Sequence, residues 1–191
     1  MSSPYPQALA FEHPEDLARW FVENHETSSE LWIRIYKAGS EQPSVTWTDC
    51  VVEAIRFGWI DGLTRSGGTS YYLQRLTPRR AGSNWSIKNR EHTTRLIAEG
   101  RMLPAGLVHV EAAQGDGRWE TAYAGSADMV MPQDLLDALA AMPEAEAFFR
   151  TLDRKNLYPI YYRLQTAKRP ETRLRRMKKI LDYLQRGEHF H

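Results

Sequence analysis

Residues 57–89 read FGWIDGLTRSGGTSYYLQRLTPRRAGSNWSIKN, and this stretch decides how the first half of the chain folds. Apolar and polar residues alternate on both sides of Ser66-Gly67-Gly68, which predicts two strands at roughly 59–65 and 70–76. The glycine pair can adopt positive φ, so it suits the turn of a hairpin. Thr77-Pro78 then ends the second strand. The stretch therefore predicts a β-hairpin.

A helix is predicted directly after this hairpin. Ser83 or Asn84 is a suitable N-cap, and the helical pattern continues to Glu99. In this interpretation Trp85 and Ser86 lie in the first helical turn. A helix N-terminus presents unpaired backbone N–H groups and a partial positive charge, so it attracts anions.

Basic residues are concentrated around that predicted N-terminus. The segment from Arg65 to Arg101 contains eight Lys or Arg and two Asp or Glu, in a chain whose net charge is +1. Arginine binds phosphate and carboxylate groups through paired hydrogen bonds. The predicted ligand-binding residues are Asp61, Arg75, Arg79, Ser83, Trp85, Ser86 and Asn89. A simpler interpretation stays open, in which the aromatic residues are core and the arginines face solvent.

The rest of the chain predicts an α+β fold. A helix is expected over 14–24 and a strand over 31–36, whereas helical patterns follow residue 104 except in 117–124, which is irregular or a short extended piece. Every main strand should therefore lie before residue 80, and residues 132–187 should be helices and turns. The expected core includes Trp20, Phe21, Ile55, Phe148, Phe149, Leu164 and Leu181.

Two regions are expected. Residues 1–128 should form an α+β domain, in which a small mixed or antiparallel sheet packs with helices. Residues 129–191 should form an all-helical C-terminal bundle packed on it. From Asp153 to His191 there are eleven Lys or Arg and four Asp or Glu. The last helix thus offers a second hypothesis, a basic face for nucleic acid or a protein partner, against the alternative of a solvated face.

Composition indicates an ordinary globular protein. The chain is 42% hydrophobic and 26% charged, which excludes disordered and fibrous classes. No apolar run approaches the about 18 residues that span a membrane, and the N-terminal residues lack a signal pattern. With a single cysteine, Cys50, these features favour a cytoplasmic location and no membrane span. They leave the oligomeric state open.

Familiar catalytic and cofactor motifs are absent from the sequence. It contains no GxGxxG, GxxxxGK[ST], HExxH, CxxC or GxSxG. Its six histidines are scattered, so we expect neither a metal site nor a cofactor. No catalytic residue is identified. Asp61 is the candidate acid or base if the predicted pocket belongs to an enzyme, and a turn-forming residue otherwise.

Four stretches resemble one bacterial family. They are TWTDCVVEAIRFGWIDG at 46–62, LTPRRAGSNWSIKN at 76–89, EGRMLPAGL at 99–107 and AKRPETRLRRMKKILDYLQRGE at 167–188. From about Pro14 to Glu188 the chain resembles the bacteriocin-protection, or YdeI/OmpD-associated, family. The resemblance implies a soluble bacterial protein linked to stress, bacteriocin protection and an outer-membrane porin. It implies no catalytic residues, cofactor or mechanism.

Overall fold

The computed structural model describes residues 8–190, and these form two compact units. The first unit consists of the described residues up to Ser83 together with Asn89–Gly117. The second consists of Asn84–Lys88 together with the described residues from Arg118 onward. The division after residue 128 expected from the sequence stays a prediction.

Eight helices and three strands occur in the described part of the chain, which confirms the α+β class. In chain order they are α1 (Pro14–Asn24), β1 (Leu31–Tyr36), α2 (Trp47–Arg56), β2 (Trp59–Ser66), β3 (Tyr71–Pro78), α3 (Ile87–Ala98), α4 (Pro104–Gly115), α5 (Gln133–Ala140), α6 (Pro143–Phe149), α7 (Arg154–Gln165) and α8 (Pro170–Gln185).

The sheet of the first unit is antiparallel, with strand order β1-β3-β2. The predicted hairpin is therefore confirmed as β2 and β3. Its register pairs Asp61 with Leu76, and the pairing is irregular between Asp61 and Thr64. Successive side chains of a strand point to opposite faces. One face carries Ile33, Trp59 and Leu76, and it packs into the main core of this unit.

Two helices contribute to that core because their apolar residues recur on one face. In α1, Leu17 and Phe21 are fully buried. The Phe21 ring stacks on Phe57, with centroids 5.1 Å apart. α2 begins after Thr46, whose side chain accepts a hydrogen bond from the Asp49 backbone amide. This cap stabilises the first turn of α2, which begins with Trp47.

The start of α3 differs from the prediction. The helix begins at Ile87, not at Ser83 or Asn84. Ser86 forms a parallel bridge with Tyr123. The Tyr123 amide donates to the Trp85 carbonyl at 3.0 Å, and the Ile87 amide donates to the Tyr123 carbonyl at 2.8 Å. These bonds hold Trp85 and Ser86 in an extended conformation, so neither residue belongs to the first helical turn.

The second unit builds its core from four helices, α5 to α8. Its fully buried residues include Leu135, Leu164, Ile180 and Leu184. Residues 132–187 are all described and contain no strand, which confirms the prediction that they are helices and turns. Phe190 is also buried in this core, so the described end of the chain folds back on the bundle.

The predicted core is only partly correct. Phe21, Ile55 and Leu164 are buried. Four other predicted residues are half-buried and pack at the edges of the two cores: Trp20, Phe148, Phe149 and Leu181. Three of them lie on the short helix α6 or on α8. Helical periodicity identifies the face that turns inward, but it does not say how completely neighbouring helices cover that face.

Arg173 connects three helices of the second unit. Its guanidinium donates to both carboxylate oxygens of Asp134, at 2.7 and 2.8 Å, and to the Leu164 carbonyl at 2.7 Å. We expect Arg173→Met to lower the free energy of unfolding by about 2 kcal/mol, because charge-assisted bonds are lost. Denaturant unfolding measures this, with Arg175→Met, an exposed neighbour on α8, as the control.

The Arg173 effect should depend on pH. Hydrogen bonds from Arg173 lower the pKa of Asp134 below its ordinary value of 3.8. The contribution of an acid with a lowered pKa is present above its unfolded pKa and is lost as the pH falls through its folded pKa. The difference between wild type and Arg173→Met should therefore narrow as the pH is lowered from about 7 towards 3. Equal destabilisation by Arg175→Met would show that Arg173 makes no special contribution.

Candidate functional site

A cavity of about 420 Å³ lies in the first unit, at the end of strand β3. Its lining residues are Ser29, Ile60, Arg75, Thr77, Pro78, Arg79, Arg80 and Ser83. Among these described residues three are arginines, three carry a hydroxyl group and none is acidic. Arg75 and Thr77 alternate with the core residue Leu76, so the cavity lies beside the sheet face that does not carry the core.

Local backbone structure brings the arginines together. Strand β3 delivers Arg75, and after the strand the Arg79 amide donates to the Gly58 carbonyl at 2.9 Å. A tight turn follows. The Ser83 amide donates to the Arg80 carbonyl at 2.9 Å, and the Arg80 amide donates to the Ser83 hydroxyl at 3.1 Å. The chain therefore reverses directly after the strand, which keeps Arg79, Arg80 and Ser83 beside Arg75.

Arg75 is already bound to a carboxylate. Its Nε and one terminal nitrogen each lie 2.7 Å from the same carboxylate oxygen of Glu30. Both side chains are only partly exposed, at 35% for Arg75 and 39% for Glu30. Glu30 follows the lining residue Ser29 in the sequence, and its carboxylate binds the lining residue Arg75.

Arg79 is buried, with only 5% of its surface exposed, and lies close to Asp61. Burial raises the pKa of the Asp61 carboxyl above its ordinary value of 3.8. Hydrogen bonds from its own backbone amide and from the Trp47 and Asn89 side chains, together with the charge of Arg79, act in the opposite direction. Asn89 is likewise buried. Arg79 and Asn89 are buried and Asp61 and Trp47 are half-buried, and we name these four residues the Asp61 cluster.

The predicted ligand-binding residues divide into three groups. Arg75, Arg79 and Ser83 line the cavity. Asp61 and Asn89 belong to the Asp61 cluster and are not among the lining residues. Trp85 and Ser86 belong to the second unit, as does the first residue of α3.

The sheet register separates Asp61 from Arg75. Asp61 pairs with Leu76, so these two side chains share a face. Arg75 precedes Leu76 and projects from the opposite face. Only Arg79, beyond the end of the strand, is both near Asp61 and in the cavity lining.

Sequence reasoning missed Glu30 and Trp47, and it did not single out Ile60 and Pro78, the apolar residues of the lining. Glu30 meets Arg75 only because β1 pairs with β3, across 45 residues of sequence. Trp47 begins a helix and has no local sequence signal that points to Asp61. Arg80 was visible as part of the basic segment, and its position next to the turn at Ser83 was the available signal.

The basic helix of the second unit has a partly structural role. Arg173 donates to the Leu164 carbonyl and Arg176 donates to the Arg163 carbonyl at 2.7 Å, so both satisfy the C-terminal end of α7. Arg175, Lys178 and Lys179 are exposed. Among the described residues, no helix combines the length and the apolar character that crossing a membrane requires.

Comparisons with known proteins identify two family regions. No curated protein and no solved structure matches the chain. Residues 9–109, more than half of the chain, match a family described as Domain of unknown function (DUF8412). Residues 128–187 match the family described as Bacteriocin-protection, YdeI or OmpD-Associated.

This second match is narrower than the resemblance from Pro14 to Glu188, because three of the four resembling stretches lie inside residues 9–109. The chain thus belongs to the family described as Domain of unknown function (DUF8412), and its residues 128–187 match the bacteriocin-protection, YdeI or OmpD-associated family.

Proposed function

We propose that the cavity of the first unit binds a small anionic molecule. The observation that carries this proposal is a lining with three arginines, three hydroxyl groups and no acidic residue among the described residues. Its volume of about 420 Å³ lies within the range of about 300–1,000 Å³ of small-molecule sites. Guanidinium groups and hydroxyls are the donors that proteins use for carboxylate, sulfonate and phosphate groups.

Each lining group has a distinct part in this proposal. Arg80 is exposed and meets the anion first, and Arg75 joins it from the strand. Arg79 is buried near Asp61, and its guanidinium adds hydrogen-bond donors to the lining. Ile60 and Pro78 provide an apolar wall for the rest of the molecule.

The biological setting is proposed from the family match. Residues 128–187 support a bacterial stress role of the bacteriocin-protection type. In this proposal the anion is the signal or metabolite that the protein responds to, and the protein acts in the cytoplasm.

Two alternatives receive less support. An enzyme that uses Asp61 as an acid or base is favoured by the raised pKa of that carboxyl. Asp61 is not among the lining residues, however. Arg79 is the residue that both lines the cavity and lies near Asp61. A nucleic-acid or protein interaction through α8 is weakened because Arg173 and Arg176 already bind the end of α7.

Calorimetric titration of the full chain with a set of small carboxylates, sulfonates and phosphates tests the proposal. We expect Arg80→Ala and Arg75→Ala each to weaken the binding of the best anion by about tenfold or more, because a charge-assisted hydrogen bond contributes about 1.5–3 kcal/mol. Arg65→Ala, an exposed arginine of β2 outside the lining, is the matched control.

Salt distinguishes a site from diffuse attraction. Exposed charges are screened over about 8 Å at physiological ionic strength, so non-specific binding disappears as salt is added. Equal weakening by Arg65→Ala and Arg80→Ala, or loss of all binding at moderate salt, would contradict an anion site in this cavity.

A further inference from the structure

The charges around the cavity are unequal in number. Three arginines line it, but the Glu30 carboxylate binds Arg75 and the Asp61 carboxylate lies near Arg79. Among the described residues at this site, two carboxylates therefore oppose three guanidinium groups. The ligand meets a site with one positive charge in excess, carried by the exposed Arg80.

We propose that Glu30 is a specificity-determining residue, which makes the cavity selective for singly charged anions over phosphate monoesters. The eligible ligand groups are carboxylates, sulfonates and phosphodiesters. This inference rests on the proposed anion-binding function and adds the charge class of the ligand.

The reason lies in how two energies scale with ligand charge. Attraction to the site grows in proportion to the charge of the ligand. The cost of removing the ligand from water grows with the square of that charge, and it is several kcal/mol per buried ion even at charge one. A phosphate monoester carries a charge of about −1.5 to −2 at neutral pH. When only one positive charge is in excess, the added attraction does not offset the added desolvation.

Glu30 is placed to control this balance. Its carboxylate is bound to a lining arginine at 2.7 Å, yet it is 39% exposed and belongs to neither of the two cores. Removing its charge would double the excess positive charge of the site without leaving a cavity in the core. The attraction for a dianion would then rise twice as much as the attraction for a monoanion.

The test compares two probes that differ in one charge, phenyl phosphate and methyl phenyl phosphate. Both are titrated at about pH 8, where the monoester is a dianion, and at constant ionic strength. Wild type should bind the methyl ester more tightly. Glu30→Gln should strengthen binding of the methyl ester about threefold and of phenyl phosphate about tenfold, as expected for a partly screened charge.

Glu30→Asp distinguishes an effect of the Glu30 charge from an effect of Glu30 on the orientation of Arg75. If Glu30 acts through its charge, the Glu30→Asp protein binds the two probes with the same order of affinity as wild type. A Glu30→Gln protein that binds both probes more weakly would show that Glu30 only orients Arg75, and the inference would be wrong. The same conclusion follows if wild type prefers phenyl phosphate, or if Glu30→Gln strengthens both equally.

Failure of the underlying function has a different signature. If neither probe binds to wild type or to Glu30→Gln, the cavity is not an anion site and both proposals fall. If only Glu30→Gln binds them, the wild-type cavity excludes these anions, and the proposed function of the native protein is contradicted.

Discussion

Arg79→Ala is expected to lower the free energy of unfolding by about 1.5–3 kcal/mol, because a buried guanidinium is lost from beside the half-buried Asp61 carboxylate. The Arg79 side chain is only 5% exposed, and its charge helps to keep the neighbouring Asp61 carboxyl ionised. Without the guanidinium, Asp61 remains in a poorly solvated position with only the hydrogen bonds of Trp47, Asn89 and its own backbone amide. Denaturant unfolding of the full chain measures the loss.

The destabilisation caused by Arg79→Ala should depend on pH. Burial already raises the pKa of Asp61 above 3.8, and removal of Arg79 raises it further. A carboxyl whose folded pKa is raised destabilises the protein as the pH rises through that pKa. Arg79→Ala should therefore be more harmful at about pH 8 than at about pH 4.

A second substitution identifies the cause. Asp61→Asn removes the charge that Arg79 compensates, so it should recover part of the stability when it is combined with Arg79→Ala. Arg80→Ala, on the exposed neighbour, should change the free energy of unfolding by no more than about 0.5 kcal/mol. If Arg79→Ala and Arg80→Ala have similar small effects, the Asp61 cluster does not contribute to stability. Because Arg79 serves both stability and the cavity, Arg80 is the cleaner position for ligand tests.

Gly58→Ala is expected to lower the free energy of unfolding by about 3–4 kcal/mol, from backbone strain and a backbone clash together. Gly58 follows α2 with a φ of +73°, a conformation that residues with a Cβ atom adopt at a cost. A Cβ atom there would lie 2.4 Å from the Ala105 carbonyl oxygen and 2.9 Å from the His109 ring. The first turn of α4 would have to move away from α2.

A matched glycine separates strain from clash. Gly39 has a φ of +91° but no atom within 4 Å of its virtual Cβ, so Gly39→Ala should show the strain alone, about 1–2 kcal/mol. Gly106→Ala should resemble Gly58→Ala, because its Cβ would lie 2.5 Å from the Ile55 carbonyl oxygen. Equal losses at Gly39 and Gly58 would mean that the contact between α2 and α4 adjusts without difficulty.

Much of the fold was predictable from local patterns. The bounds of β1 at Leu31–Tyr36 and of α1 at Pro14–Asn24 match the expected 31–36 and 14–24. Alternation and helical periodicity reflect burial on one face, and both are visible in a short window of sequence. The start of α3 was predicted wrongly, because the backbone of Trp85 and Ile87 bonds to Tyr123 from a distant part of the chain. A cap signal at Ser83 carries no information about that bond.

For the candidate site, too, some features could be predicted from local sequence and others could not. Local sequence was enough to predict that Arg75, Arg79 and Ser83 lie together, because a strand, its Pro-containing end and a turn follow within nine residues. Which carboxylates oppose these arginines depends on long-range contacts. Pairing of β1 with β3 brings Glu30 to Arg75, and the register Asp61 to Leu76 turns Asp61 towards Trp47 and away from Arg75. Strand register is set by side-chain packing across the whole sheet, and a shift of one residue would exchange the faces, so no local stretch of sequence contains it.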